Sequence, residues 1–268
     1  MRPRTFCLIF ASALMVAGLA AAPATPRHHH SVIISGGDRR PANDCSDLRI
    51  RFDDRDAVVR SETRTLSKAE APVLKVHPHA NGGTQMVGWD QNNYSVTACK
   101  AVDAGDGAEG RLSEITMSIE NGTVSTHGPS GEAEHWTVYL LIRTPKSATV
   151  EVETLIGPFS VEGSSGSLRI RTENGPINVD LQGTSWNGSG LSADAENGPV
   201  TLRVPSGFQS GFVVESTNHA PMSCRASICS SARKTWDDEH RRIEYGSSPA
   251  VVHLSTVNGP VSVEEARD

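Results

Sequence analysis

Apolar and polar residues alternate along most of this chain, and the alternation comes in a recurring block. From Leu168 through Ile170 and Thr172, every second residue is apolar or Thr; an Asn174-Gly175-Pro176 corner follows, and the alternation resumes at Ile177 and Val179. Strict alternation marks a strand with one buried face, because successive side chains point to opposite sides of a sheet. If the first inward residue is x, inward residues fall at x, x+2 and x+4. A corner occupies x+6 to x+8, and inward residues resume at x+9 and x+11. The block fits with x at 48, 115, 150, 168, 191 and 252, and with one extra corner residue at 74 and 212. The central steps are 18, 23 and 21 residues, and the steps of 41, 35 and 40 are about two such periods. Self-similarity at about 20 residues predicts stacked repeats.

The corner residues are Asn121-Gly122, Gly157, Asn174-Gly175, Asn197-Gly198 and Asn258-Gly259. Asn and Gly tolerate positive φ, which a tight turn requires. Pro after Gly fixes its own φ and removes a backbone donor that would need a partner at a crowded corner. A meander of Asn-Gly hairpins predicts antiparallel neighbours and gives no reason for the Pro. The steady spacing and the repeated Pro favour the other arrangement. The expected fold is all-β, a β-solenoid or single-stranded β-helix-like domain of about 20-residue rungs over residues 45–263. The corners are read as scaffold, not as ligands.

The start of the chain changes the compartment. Arg2 and Arg4 precede an apolar run from Phe6 to Leu19, followed by Ala20-Ala21-Ala22. This reads as a secretory signal peptide over residues 1–22, cut between Ala20 and Thr25, and the run is too short for a spanning helix. Cys7 lies inside the apolar run, which argues against a lipid-anchored Cys. The expected location is exported: periplasmic, cell-surface or extracellular in a bacterium, with no transmembrane span after signal removal. Residues 23–44, with His28-His29-His30, read as a flexible tail. The mature chain keeps Cys45, Cys99, Cys224 and Cys229, an even number that suits an oxidising compartment. The favoured pairs are Cys45–Cys99 and Cys224–Cys229. Zinc would call for two closely spaced pairs, and Cys45 and Cys99 are far apart in the chain.

The net charge is −6, about −8 without the leader, with no block of basic residues. Nucleic acid is excluded as a partner, since it demands clustered Lys and Arg. Gly is frequent and aromatics are few, at 5 %, which suits short strands and turns better than a thick core.

These repeats behind a signal peptide resemble the bacterial putative adhesin domain of the DUF4097 type. The residues that carry the likeness are Leu168–Leu181, Leu191–Val204 and Val252–Val263, supported by Ile115–Thr126 and Thr149–Val161. The resemblance implies a β-solenoid-like fold, an envelope or surface location and no established catalytic site. The four mature cysteines and the charged insertion over 225–248 depart from it. Residues 45–110 read as an N-terminal capping part and 264–268 as a C-terminal tail.

Candidate chemistry is sparse. Gly163-Ser164-Ser165-Gly166 and Gly188-Ser189-Gly190 do not form a nucleophile elbow, and there is no Walker loop or His-Glu-x-x-His helix. His77 and His79 share a strand face but make at most half a metal site. Asp53, Asp54 and Asp56, and Asp237, Asp238 and Glu239, fit no Ca²⁺ loop. No cofactor, metal or catalytic residue is expected. Exposed aromatic and basic residues suit partner contact, so Trp186, Trp236, Arg241 and Arg242 form the candidate interaction surface, while Trp89 and Trp136 suit the core equally well. The leading expectation is a non-enzymatic interaction module for a cell-surface glycan or an envelope protein. The alternatives are a polysaccharide lyase or glycoside hydrolase on a β-helix, resting on Asp237, Asp238 and Arg241, and a structural or signalling component of the envelope.

Overall fold

The computed structural model describes residues 32–36, 41–78, 82–130, 135–218, 220–237, 241–246 and 251–266. The expected signal peptide, His28 to His30, His79, and Asp238 to His240 lie outside them. The described residues are all-β apart from one short helix and two single 3₁₀ turns. The first strands are β1 (Val32–Ser35), β2 (Arg49–Phe52), β3 (Arg55–Ser67), β4 (Val73–His77), β5 (Gly82–Trp89) and β6 (Asn93–Asp103). The helix α1 (Ala108–Glu114) precedes β7 (Thr116–Glu120), β8 (Thr123–His127) and β9 (Trp136–Pro145). Then come β10 (Thr149–Ile156), β11 (Phe159–Glu162), β12 (Ser167–Asn174), β13 (Ile177–Asp180), β14 (Gly190–Asn197) and β15 (Val200–Val204). The remainder are β16 (Phe212–Ser216), β17 (Met222–Cys224), β18 (Arg233–Trp236), β19 (Arg241–Tyr245), β20 (Val252–Asn258) and β21 (Val261–Glu265).

Two sheets face each other. One has eleven strands in the order β1-β2-β3-β6-β9-β5-β11-β13-β15-β21-β17, the other ten in the order β18-β19-β16-β20-β14-β12-β10-β4-β8-β7. The block with x at 150, 168, 191 or 252 gives its first strand to the ten-stranded sheet and its second to the eleven-stranded one. Equivalent positions pair side by side and parallel: Val150 with Leu168, Leu168 with Leu191, Leu191 with Val252. The inward positions fall where alternation puts them. Val152, Ile170, Ala193 and Leu254 meet Phe159, Ile177, Val200 and Val261 in one core, all at most 1 % exposed.

The corners hold this register by three means. Each Gly N–H crosses to the next repeat, Gly157 to Asn174 O and Gly175 to Asn197 O at 2.9 Å, and Gly198 to Asn258 O at 3.1 Å. Each Pro carbonyl accepts from the neighbouring repeat, as in Phe159 N to Pro176 O and Ile177 N to Pro199 O, both 2.9 Å. The Asn side chains form an amide ladder. Asn197 Nδ2 donates to Asn174 Oδ1 (3.1 Å), Asn258 Nδ2 to Asn197 Oδ1 (2.9 Å) and Asn218 Nδ2 to Asn258 Oδ1 (2.5 Å). The structure thereby corrects the reason for these residues. At the stacked corners Asn174, Asn197 and Asn258 have ordinary φ, and their work is the ladder; Gly157 and Gly175 do hold the expected positive φ, at 141° and 156°, while Gly198 is required because a Cβ there would stand 2.1 Å from Gly175 O.

Two expected repeats are hairpins instead. Asn121-Gly122 has φ of 49° and 75° and joins β7 to β8 antiparallel, the usual behaviour of a two-residue Asn-Gly turn. Asp53, with φ 52°, turns β2 back on β3. Neither site has a Pro like Pro158, Pro176, Pro199 and Pro260 of the stacked corners. The wide steps are not doubled periods either. The 225–248 segment contains the antiparallel hairpin β18–β19, which pairs with β16, and a 3₁₀ turn whose Ala226 and Ile228 are buried. Residues 264 and 265 belong to β21, and Ala266 N bonds to Val204 O at 2.9 Å, so the C-terminal tail expected from 264 is in part a strand.

Chain order and spatial order part company at the end. The repeat at 252–265 lies between the repeat at 190–204 and the one at 212–224. Among the described residues, strands β16 and β17 therefore pair only with β20, β21 and the β18–β19 hairpin. No helix among the described residues is long and apolar enough to cross a membrane.

Both cysteine pairs are joined, Cys45–Cys99 and Cys224–Cys229. The first ties down a segment expected to be a tail. β1 pairs antiparallel with β2, and Ala42 is buried. Ile50, Phe52 and Cys45 form a second core with Cys99, Tyr139 and Leu141, on the side of the eleven-stranded sheet that faces away from the main core. The N-terminal part is thus less a cap than a flap over the outer face. A four-residue strand cannot fold alone; the disulfide and the doubly buried strands β6 and β9 supply what it lacks.

Two outcomes are expected. Gly198→Ala should lower stability in urea unfolding by about 3 kcal/mol or more, since backbone must move to admit the methyl group, whereas Gly110→Ala, with open space at its Cβ on α1, should be neutral or stabilising by up to about 1 kcal/mol. Leu254→Ala, a core truncation worth about 2–5 kcal/mol, should weaken amide-exchange protection at Phe212–Ser216 more than at Val150–Thr172; unchanged protection at Phe212–Ser216 would refute the inserted repeat as what ties it to the rest of the stack.

Candidate functional site

The parallel register aligns the outward side chains of the second strands into rows. On the eleven-stranded sheet one row runs Gln85, Ser160, Asn178, Thr201, Ser262 and Ser223, all neutral and polar. Ser262 Oγ donates to Thr201 Oγ1 at 3.1 Å. The next row runs Val87, Glu162, Asp180, Arg203 and Glu264. Arg203 sits between two acids, 3.9 Å from Asp180 and 3.5 Å from Glu264. Glu162 Oε1 accepts from Gln182 Nε2 at 3.0 Å. Burial holds the Glu162 carboxyl above its ordinary value, and the negative charge of Asp180 adds to the shift.

The N-terminal flap makes these rows a groove. Its residues Pro41 to Asn43 lie along one side. Gln85 locks them, donating to Ala42 O and accepting from Ala42 N, both at 2.8 Å. At the end of β5 stands Trp89, half-buried, with its Nε1 donating to Asn93 O at 2.7 Å. The Arg143 guanidinium lies 5.9 Å from the indole centroid, and its Nη2 reaches Asn43 Oδ1 at 3.3 Å. Asn43, Val87, Trp89, Thr97, Arg143 and Glu162 line a hollow of about 410 Å³. A second hollow of about 290 Å³ shares Gln85 and continues over Ser160, Asn178 and Arg203. These volumes are at the lower end of small-molecule sites.

The expected interaction residues fare differently. Trp186 is 8 % exposed, with Nε1 donating to Gly166 O at 3.1 Å; it is a core residue, because its turn folds back over the end of a repeat. Trp136 is also core. Trp236 is 55 % exposed on the edge strand β18. Arg241 donates to Ala220 O at 2.9 Å, and Arg242 pairs with Glu215 at 3.2 Å and Glu244 at 3.6 Å, so both fasten the hairpin to its neighbours. His77 belongs to a charged face of the ten-stranded sheet, 3.8 Å from Glu153, beside Lys75 and Glu151 at 3.7 Å. Asp54 and Asp56 pair with Arg51 and Arg49. Among the described residues no group of three or more His, Cys, Asp or Glu is placed to hold a metal. The groove at Trp89 is what the sequence reading missed. The signal for its floor was present, since x+10 is Ser, Asn or Thr and x+12 is charged in four repeats; the wall was not, because it comes from a segment read as a tail.

No family model and no curated protein matches the sequence. Among solved structures the chain is similar to one titled a putative cell adhesion protein, from Clostridium sporogenes, with TM-score 0.50, 13 % identity, and coverage of 78 % of this chain and 100 % of that one. The likeness shows a shared fold. A putative adhesin from Bacteroides fragilis (TM-score 0.27, 8 % identity, 77 % and 97 % covered) and a putative lipid binding protein from Parabacteroides distasonis (0.31, 10 %, 76 % and 96 %) superpose too loosely to argue from.

Because the neutral carboxyl suits the folded state at Glu162, the stability this group gives is full at acid pH and lost as pH rises through its raised value. Glu162→Gln should therefore raise the unfolding midpoint at neutral pH, with the gain shrinking to nothing below the ordinary carboxylate range. A lower midpoint at neutral pH would show that the ionised carboxylate is stabilising.

Proposed function

We propose that this protein is an exported, non-enzymatic β-solenoid of the adhesin type, which presents its outer face to a cell-surface glycan or envelope protein. The reading rests above all on the groove: rows of outward side chains in strict register, walled by a flap that a disulfide holds in place. Such a surface is rigid before any partner arrives, which lowers the ordering cost of binding. The disulfides fit an oxidising compartment outside the cytoplasm. The signal peptide at 1–22 would be removed on export, and the adhesin resemblance agrees with the fold shared with the Clostridium protein.

One observation favours the second reading, a glycan-cleaving enzyme. Glu162, held protonated to higher pH and next to Asp180, has the character of a general acid. The two readings part in a single assay. The full-length protein, expressed with its leader and recovered from the periplasm cut between Ala20 and Thr25, should release no product from a panel of polysaccharides. Product formation that Glu162→Gln abolishes would replace the interaction module with an enzyme.

A further inference from the structure

The hollow beside Trp89 carries opposite charges on its two sides. The strand register puts Arg143 of β9, Val87 of β5 and Glu162 of β11 next to one another in a single outward row. Val87 is short and apolar, so it leaves a gap between two long charged neighbours. Neither charge is answered within the protein. Arg143 rests against the Trp89 ring, 5.9 Å from its centroid, and reaches the neutral Asn43 Oδ1 at 3.3 Å. Among the described residues it forms no ion pair. Glu162 accepts from the neutral Gln182 amide at 3.0 Å. Arg203, further along the row, is taken by Asp180 at 3.9 Å and Glu264 at 3.5 Å. Burial and the neighbouring Asp180 both work against the Glu162 charge. Glu162 is thus a carboxyl short of a cation, and Arg143 a cation short of a carboxylate.

The spacing sets the size of what could serve both. Neighbouring strands lie about 4.8 Å apart, so the two side chains rise from backbones about 10 Å apart. Outward side chains stand roughly perpendicular to the sheet, which carries that separation up to their tips. A charge-assisted hydrogen bond of about 2.8 Å on each side leaves about 4 Å between the ligand's own charged groups. Consecutive Cα atoms are about 3.8 Å apart, so this is the span of one or two amino-acid residues. A longer ligand has no room, because the Gln85–Ala42 pair closes one end of the hollow and Trp89 stands at the other.

We propose that this hollow binds a small zwitterion, a free α-amino acid or a dipeptide, with its carboxylate on Arg143 and its ammonium group on Glu162 above the Val87 floor. Trp89 and Asn43 are positioning residues that hold the guanidinium ready. The site adds a small-molecule function to the outer face and does not depend on which macromolecule that face meets.

The test is calorimetric titration of the mature protein with leucine, alanyl-leucine and alanyl-alanyl-leucine, each also with its amine acetylated or its carboxylate amidated. Leucine or alanyl-leucine should bind, and the tripeptide should bind at least about tenfold more weakly than the better of the two. Blocking either charge of the bound zwitterion should cost at least about tenfold as well. Arg143→Gln should lower the zwitterion to the affinity of its amidated form and leave the amidated form unchanged. Glu162→Gln should lower it to the affinity of the acetylated form and leave that form unchanged. These paired readouts separate loss of one contact from general damage to the fold. Equal binding of a zwitterion and its blocked forms, or equal affinity in wild type and both variants, would overturn the site. A tripeptide bound as tightly as the shorter probes would overturn the closed hollow. Binding of none of the three would overturn the ligand class, and retention of an envelope glycan or protein by the same sample would leave the interaction module standing.

Discussion

The close stacking of corners is the constraint on which the rest depends. At Gly198 the neighbouring carbonyl comes so near that no Cβ can stand between them. That approach brings Asn side chains into reach of one another, so the amide ladder and the backbone bonds form together. Register follows at once: when a corner is fixed on the corner beside it, every residue of both strands is fixed too. A one-residue slip would turn the whole inward set outward, and the ladder makes such a slip break a chain of bonds at several corners. The aligned polar rows of the outer face are a by-product of this locking.

A stack of parallel strands leaves open edges, and the molecule manages its edges with antiparallel pieces. β7 closes one end of the ten-stranded sheet and the β18–β19 hairpin the other. β18 carries Arg233 and Lys234, charges that discourage further pairing. In the eleven-stranded sheet β3 turns Arg60, Glu62 and Arg64 to the side that is apolar further along. Lys100, almost fully buried, lies 2.5 Å from Glu62. Burial works against the Glu62 charge, but hydrogen bonds from Lys100 and Arg64 outweigh it and leave the carboxyl below its ordinary value. The core thus ends in a paired ionic layer.

Much of the scaffold could be read from the residues, and the reasons it could are local. Val150, Leu168, Leu191 and Val252 begin their blocks with strict alternation, which depends only on the pleat. Of the three pairings four cysteines allow, the one found was favoured because Cys224 and Cys229 are close in the chain. What could not be read was anything set by distant parts of the chain. Asn121-Gly122 and Asn174-Gly175 look alike, yet one makes a hairpin and the other a stacked corner, and only the following Pro separates them. Trp186 sits in a turn and is nonetheless buried, because a neighbouring repeat covers it. Trp89 gains its setting from a flap more than 40 residues upstream, held by Cys45 and Cys99.

The repeat at 252–265 sits inside the stack, with neighbours on both sides. A stack in which chain order matches spatial order can lengthen or shorten by duplicating or losing its last unit. Here the last unit of the series is not at the end of the pile, and both of its flanks are taken. Insertion of a further unit is open only between residues 149 and 204, where the chain still winds step by step. The length of the groove therefore has one place where evolution can change it, and that place is directly beneath the row of Ser160, Asn178 and Thr201.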